Sequence, residues 1–260
     1  MNTPSPVPRV ILSWAQSADG RIATRTGDSK YLSSPESLEI QQELRRDCDG
    51  VLVGIGTVLA DDPRLLCRLG GDKNPHARQP LRVVLDSHFQ TPLHSTLATT
   101  ARDYPVLVIG AHTETTGPDA INRSKRRSAL EGMGISTATV PIASEATPIA
   151  SGTTPIAPES TPIAPGATRP YQRLDLRAVL TILRQRGVET LFVEGGAGIL
   201  TAFLADNLAD RIILDISPRF IGDGIQAIGN LGTERLANSR LFKTQRVEQR
   251  GANVVWTLER

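Results

Sequence analysis

The chain has 260 residues, 39% of them hydrophobic and 22% charged, with 29 Lys+Arg against 27 Asp+Glu and a formal charge of +2. That is enough chain for one large domain with a real core, and too little net charge to argue for a nucleic-acid partner. Cys48 and Cys67 form no CxxC pair and the four histidines are scattered, so neither a disulfide framework nor a metal site is expected, and a reducing cytoplasm fits.

Nothing at the N-terminus resembles a signal peptide, and no apolar stretch approaches membrane-spanning length. Val10–Trp14 reads as the first strand, and Ser17–Gly27 as a polar loop. Pro35 suits an early helical position, with the helix running to about Arg46 and using Leu38 and Leu44 as apolar contacts. Val51–Val53 is a strand that runs into Gly54-Ile55-Gly56, where Thr57 is placed to cap a short helix closed near Pro63. Leu81–Leu85 and Val106–Ile109 are further strands, ending at Asp86-Ser87 and Gly110. The basic cluster Arg123-Ser124-Lys125-Arg126-Arg127 reads as a solvated helix face, with phosphate contact as the alternative.

Pro-Ile-Ala then recurs at Pro141, Pro148, Pro155 and Pro162. A proline in every repeat removes a helix hydrogen bond, which excludes a coiled coil despite the heptad spacing. Residues 141–170 are therefore expected to be an inserted low-complexity loop in a single domain spanning 1–260. The pattern next predicts a helix over Asp175–Gln185, with Asp175 at the N-cap, Leu176, Val179, Leu180 and Leu183 on one face, and Gly187 at the exit. Strand Thr190–Val193, helix Ala197–Ala205, strand Arg211–Ile216 and a hairpin over Phe242–Glu248 and Asn253–Leu258 complete the chain. Alternating strands and helices with a final hairpin predict a three-layer α/β/α fold with a mostly parallel central sheet.

Two junctions carry the functional signal. Val193-Glu194-Gly195-Gly196-Ala197-Gly198 and Val53-Gly54-Ile55-Gly56-Thr57 both run from an apolar strand through glycines into a helix. Glycines there let a backbone approach a ligand, and unpaired amides at a helix start attract phosphate; the plainer reading is a turn that only joins strand to helix. Thr201 stands where a third fingerprint glycine would be, and no GxxxxGK[ST] occurs, so a phosphate-cleaving P-loop is not expected.

Several stretches resemble the pyrimidine reductase of riboflavin biosynthesis, the RibD C-terminal domain type, related in fold to dihydrofolate reductase. They are Ala15-Gln16-Ser17-Ala18-Asp19-Gly20-Arg21-Ile22-Ala23, Gly27-Asp28-Ser29-Lys30-Tyr31, Val53–Pro63, Arg82-Val83-Val84-Leu85-Asp86-Ser87, Val193-Glu194-Gly195-Gly196 and the late loop Pro218–Gly222. The resemblance implies a stand-alone, homodimeric, cytoplasmic reductase. It would use NADPH to convert the ribosyl side chain of 5-amino-6-(5-phosphoribosylamino)uracil to a ribityl chain, with no nucleic-acid or membrane partner. A dihydrofolate- or pterin-type reductase, or a nucleotide-binding homologue without turnover, are the competing readings.

The same resemblance puts Ser29, Tyr31, Thr57, Asp61, Ser87 and the run Gly196, Ala197, Gly198, Ile199, Leu200, Thr201, Ala202 on cofactor-contacting positions. It puts Arg45, Leu65, Arg68 and Glu194 on substrate-contacting positions, with Asp61 and Glu194 as the catalytic candidates. Arg45 and Arg68 suit forked bonds to a phosphate dianion, or are surface arginines. Glu194 suits a pyrimidine N–H or hydroxyl, or is the partner of a nearby arginine. Asp61 suits ordering of ribose, nicotinamide or a proton-carrying water, with Asp62 beside it the structural acid. Asp19 suits either bracing its loop or a ligand, and Ser87 and the amides near Gly110 are the candidate donors for a 2′-phosphate. Ser13 and Tyr31 depart from the lysine and tryptophan common at these positions.

Overall fold

The computed structural model describes residues 5–69, 78–112, 118–143 and 173–260. Along the chain run β1 (Arg9–Ser17), β2 (Arg21–Thr24), α1 (Pro35–Asp47), β3 (Gly50–Gly54), α2 (Ile55–Asp61), β4 (Leu81–Leu85), α3 (Thr96–Thr99), β5 (Val106–Ala111) and α4 (Pro118–Gly132). Then follow β6 (Ser136–Val140), α5 (Leu176–Gln185), β7 (Thr190–Val193), α6 (Ala197–Ala205), β8 (Arg211–Ser217), β9 (Gly224–Gln226), β10 (Lys243–Arg250) and β11 (Asn253–Glu259).

Nine strands form one sheet in the order β10-β11-β8-β1-β7-β3-β4-β5-β6. From β8 to β6 every pairing is parallel, and only the terminal hairpin runs antiparallel. Strands β3 and β5 are buried throughout, as parallel strands covered on both faces must be. Alternate side chains serve opposite layers. Leu52 joins the core under α5 and α6, while Val51 and Val53 join the core under α1, α2, α3 and α4.

Local chemistry explains where the elements start. The Asp175 carboxylate accepts from the amides of Arg177 at 2.8 Å and Ala178 at 3.1 Å, a cap contributing about 1 kcal/mol. Leu176, Val179, Leu180 and Leu183 bury the predicted stripe, and Gly187 takes φ +83° just past the end. Three expectations need correction. Thr57 lies inside α2 and the cap is Gly54, because β3 runs one residue further than its apolar core. Leu38 is 47% exposed, and α1 buries Ser37, Ile40, Leu44 and Arg45 instead. The expected loop Ser17–Gly27 contains β2, which pairs antiparallel with β9 in a small second sheet.

Of the proline-repeat segment 141–170, residues 144–170 lie outside the described residues, as do residues 171 and 172 after it. Its two flanks meet: Ala143 N–H donates to Arg173 O at 2.7 Å, Asp175 N–H donates to Pro141 O at 2.9 Å, and Ile142 bridges Leu174. A short turn can span that gap. Replacing residues 144–172 with a four-residue turn is expected to leave folding intact and to raise stability by up to about 2 kcal/mol, since each halving of a loop returns about 0.6 kcal/mol of closure entropy. A urea midpoint that falls on deletion would contradict this.

The topology sets the site. Strand β7 inserts between β1 and β3, with Leu191 opposite Gly50 and Val193 opposite Leu52. The two glycine junctions, far apart in sequence, therefore leave the sheet side by side at the carboxyl ends of parallel strands, where open α/β sheets bind ligands.

Candidate active site

Gly54 caps α2 and Gly196 caps α6, and neither offers a side chain to the helix amides. Ile199, in the first turn of α6, packs into both junctions. A Cβ at Gly54 would stand 3.0 Å from its Cγ1, and one at Gly195 would stand 2.8 Å from its Cβ and Cγ2. Gly195 is thus required by packing within the protein, while at Gly54 the Ile199 side chain would have to give by a few tenths of an ångström. Gly56, Gly196 and Gly198 are different: an added Cβ at each meets nothing within 4 Å. The amides of Ala197 and Gly198, at the helix start, make no hydrogen bond among the described residues. The result is an open, amide-lined turn that suits a phosphate group.

The rest of the predicted run lies beneath that surface. Leu200, Thr201 and Ala202 are buried, and Thr201 Oγ1 donates to Ala197 O at 2.6 Å while accepting from Gly229 N–H at 2.8 Å. They support the turn from below. Gly195→Ala is expected to cost about 1–3 kcal/mol through overpacking against Ile199. Gly198→Ala should instead stabilise the unliganded protein by up to about 1 kcal/mol, as an ordinary helix substitution does. Equal urea midpoints for the two variants would contradict the distinction.

Glu194 follows β7 directly, and its amide donates to Leu52 O at 2.9 Å, locking it beside β3. Arg45, in the last turn of α1, forks onto it: Nε donates to Oε2 at 3.1 Å, and Nη2 donates to Oε1 at 2.5 Å and Oε2 at 2.7 Å. The side chains are only 9% and 20% exposed. Glu194 thus has its arginine partner, and Arg45 has most of its fork occupied. A second buried group, not foreseen from the sequence, adjoins α1. Asp215 on β8 accepts from Ser37 Oγ and from Asn253 Nδ2, both at 2.7 Å, tying α1 to β8 and β11. An aspartate inside the apolar run Ile212–Ile216 was the available signal.

At the exit of α2 the two adjacent acids differ in what they touch. Asp62 adopts φ +40° and accepts from Thr96 N–H at 2.7 Å and Thr96 Oγ1 at 2.8 Å. Asp61 is exposed, with no side-chain hydrogen bond among the described residues. Leu65 is buried with φ +53°, so its side chain belongs to the core under α1 and α2 rather than to an open surface. Arg68 is exposed; its amide donates to Gln42 Oε1 at 2.8 Å, and its guanidinium is not engaged among the described residues.

Two loops meet near the end of β1. Asp19 accepts from Ser17 Oγ, Ile221 N–H and Gly222 N–H at 2.5, 3.1 and 2.7 Å. Those bonds, the Ser17 hydroxyl first, pull its pKa down to about 2. Asp19 braces the loop after β8, and Arg219 in that loop donates from Nε to Tyr31 O at 3.2 Å. Tyr31 and Phe220 are each 81% exposed, and Ser29, between β2 and Tyr31 in the chain, is exposed too. The folded pKa of Asp19 lies below its unfolded value, so the clasp's contribution is present above about pH 4 and is lost as pH falls through about 2. Ile221 and Gly222 amide resonances are expected to stay constant from neutral pH to about 4; a midpoint near 4 would contradict the clasp.

Around Ser87 one expectation fails. Ala111 N–H donates to Ser87 O at 3.2 Å and His112 N–H donates to Val140 O at 2.7 Å, so these amides are already used. Gly110 lacks a Cβ because the Phe89 ring fills that space, 2.3 Å from where one would stand. Of the two candidate donors there, the half-exposed Ser87 hydroxyl is the one left, while Thr57 is half-buried within α2 and Ser13 is buried on β1.

The RibD C-terminal domain family matches residues 8–255. The chain is 29% identical over 248 residues to the riboflavin biosynthesis protein RibD of Aquifex aeolicus, covering 95% of this chain and 56% of that protein. It is 31% identical over 250 residues to the 2,5-diamino-6-ribosylamino-4(3H)-pyrimidinone 5′-phosphate reductase of Methanothermobacter thermautotrophicus, covering 95% and 96%. The chain thus spans little more than half of the RibD relative and nearly all of the archaeal reductase. The Acinetobacter baumannii RibD structure, form 2, superposes with a TM-score of 0.74 at 24% identity over 98% of this chain and 58% of that one, a likeness of fold. The chain belongs to the RibD C-terminal domain family.

Proposed function

We propose that this chain is an NADPH-dependent reductase of riboflavin biosynthesis that converts the ribosyl side chain of a phosphoribosylaminopyrimidine, such as 5-amino-6-(5-phosphoribosylamino)uracil, to a ribityl chain. The observation that carries the reading is the insertion of β7 between β1 and β3, which sets the open glycine turn of α6, the Gly54 junction and Glu194 side by side. The unengaged amides of Ala197 and Gly198, with the open space at Gly196 and Gly198, suit the diphosphate of a nicotinamide dinucleotide. When bound, such a cofactor supplies the hydride that adds to C1′ of the sugar.

The protein's part is geometry and charge. Arg68 offers the terminal phosphate a guanidinium that is unengaged among the described residues. Glu194, oriented by Arg45, presents carboxylate lone pairs to a pyrimidine N–H or a ribityl hydroxyl. Asp61 holds the reacting groups or the water that delivers the proton. Ser87 offers a hydroxyl to a 2′-phosphate, and the preference for NADPH over NADH rests mainly on the family's pattern. Homodimerisation and a cytoplasmic setting belong to the same proposal, on the family's pattern. No helix among the described residues is long and apolar enough to cross a membrane.

The test is NADPH oxidation with the phosphoribosylaminopyrimidine, in its uracil and its 2-amino forms, in parallel with dihydrofolate. Turnover of either pyrimidine and none of dihydrofolate is expected; efficient dihydrofolate reduction would transfer the assignment to a folate-type reductase. Equal turnover with NADH would remove the cofactor preference, and monomer mass by light scattering across a concentration series would remove the dimer.

A further inference from the structure

Arg82, near the start of β4, is fully buried at 0% exposure, on the sheet face shared with Val84 and α1 to α4. No carboxylate pairs with it among the described residues. Its fork is spent on oxygen atoms of two irregular segments. Nη1 donates to Thr100 Oγ1 at 2.9 Å and Arg64 O at 3.3 Å, and Nη2 donates to Tyr104 O at 2.5 Å and Thr100 O at 3.2 Å. Its Cζ lies 5.7 Å from the centre of the Tyr104 ring, and Nε has no partner among the described residues. Burial lowers its pKa to about 10, which leaves it charged at neutral pH.

A buried, unpaired cation is an expensive way to join two loops, so what it holds is informative. Residues 62–68 between α2 and Arg68 have no regular structure, and two of them, Asp62 at φ +40° and Leu65 at φ +53°, sit in the left-handed region without being glycine. Such strain persists only where the surroundings over-determine the backbone. Asp62 fixes one end through Thr96. Gln79 fixes the other through both Cys67 N–H and Cys67 O, at 2.8 and 3.1 Å, and Gln42 holds the amide of Arg68. Arg82 alone among these side chains reaches the middle, at Arg64, between the two strained residues.

We infer that Arg82 is a positioning residue for the phosphate grip: its guanidinium holds the Asp62–Arg68 segment in the one backbone path that presents Arg68 to the substrate. The inference rests on the role proposed above for Arg68, and it concerns a residue that touches no ligand.

The test compares Arg82→Lys and Arg82→Met in the full chain, by steady-state kinetics and by amide hydrogen exchange. A lysine keeps the charge but cannot fork onto four oxygen atoms. Arg82→Lys is expected to raise the KM for the phosphorylated pyrimidine about tenfold while leaving the KM for NADPH within about twofold, and Arg82→Met to go further in the same direction. Exchange at the amides of residues 64–68 should speed up about tenfold while those of β7 stay as in the wild type. Leu97→Ala, which opens a cavity in neighbouring α3, serves as the control for plain destabilisation and should not split the two KM values. Should neither Arg82 variant fold, Thr100→Val removes the Nη1 partner at 2.9 Å and is read in the same way. A parallel rise in both KM values, or wild-type exchange at residues 64–68, overturns the inference. A wild-type protein that turns over no pyrimidine instead overturns the function, and the exchange result still decides what Arg82 does.

Discussion

Glu194→Ala is expected to destabilise the protein by about 3 kcal/mol, the lower end of the range for breaking a buried ion pair. The lower end applies because Glu194 keeps 20% of its side chain exposed while Arg45 keeps 9%. The cost arises from the partner left behind: without the carboxylate, the Arg45 guanidinium stays buried with Nε and Nη2 unbonded. A shift of roughly 6–12 °C in Tm follows for a domain of this size. The double variant Arg45→Met/Glu194→Leu should recover much of the stability but none of the activity, since it removes the buried charge and the carboxylate together. A Glu194→Ala cost near that of an exposed pair such as Arg46–Asp47, under about 1 kcal/mol, would show that the pair does not hold α1 against β7.

Arg68→Ala has the largest expected effect on substrate binding. A charged hydrogen bond to phosphate contributes about 1.5–3 kcal/mol, so the KM for the phosphorylated pyrimidine should rise about 10- to 100-fold with kcat little changed. Added salt should weaken wild-type binding more than that of the variant, because the screened interaction is already missing. Arg68 is a cleaner probe than Arg45. Removing Arg45 leaves Glu194 without its partner and mixes stability with binding. Asp61→Asn should separate from both, lowering kcat about tenfold or more while the KM holds, if Asp61 orders the proton path. Wild-type kinetics for Arg68→Ala with the phosphorylated substrate would end the phosphate assignment.

Elements with a strong period and their own start and stop residues are legible in the sequence. Thr190–Val193 and Ala197–Ala205 are such a pair, an apolar run followed by glycines and an apolar helix, and the Asp175 cap marks α5 as plainly. Strand β6 is not, because the alternation in Ser136-Thr137-Ala138-Thr139-Val140 rests on only a small Ala138 and Val140, and only Val140 is buried, at a sheet edge. The β2–β9 pair follows the Asp19 clasp to residues 221 and 222, a contact between segments far apart in the chain. In the site, the residue types were legible and the meetings were not. Nothing local says that Arg45 finds Glu194, that Asp215 takes Ser37 and Asn253, or that Ile199 crowds Gly54. Those are consequences of β7 entering the sheet between β1 and β3, and strand order is a long-range property.

The most direct test of the central claim follows the hydrogen itself. Incubating the protein with the phosphoribosylaminopyrimidine and NADPH carrying deuterium at nicotinamide C4, prepared separately in each stereochemical form, should yield a ribityl product with one deuterium at C1′ from one form and none from the other. That result requires a hydride passed directly between two ligands held in a fixed geometry at the joined carboxyl ends of β3 and β7. A ribityl product without deuterium from either form, or no product while dihydrofolate is reduced under the same conditions, would contradict the account.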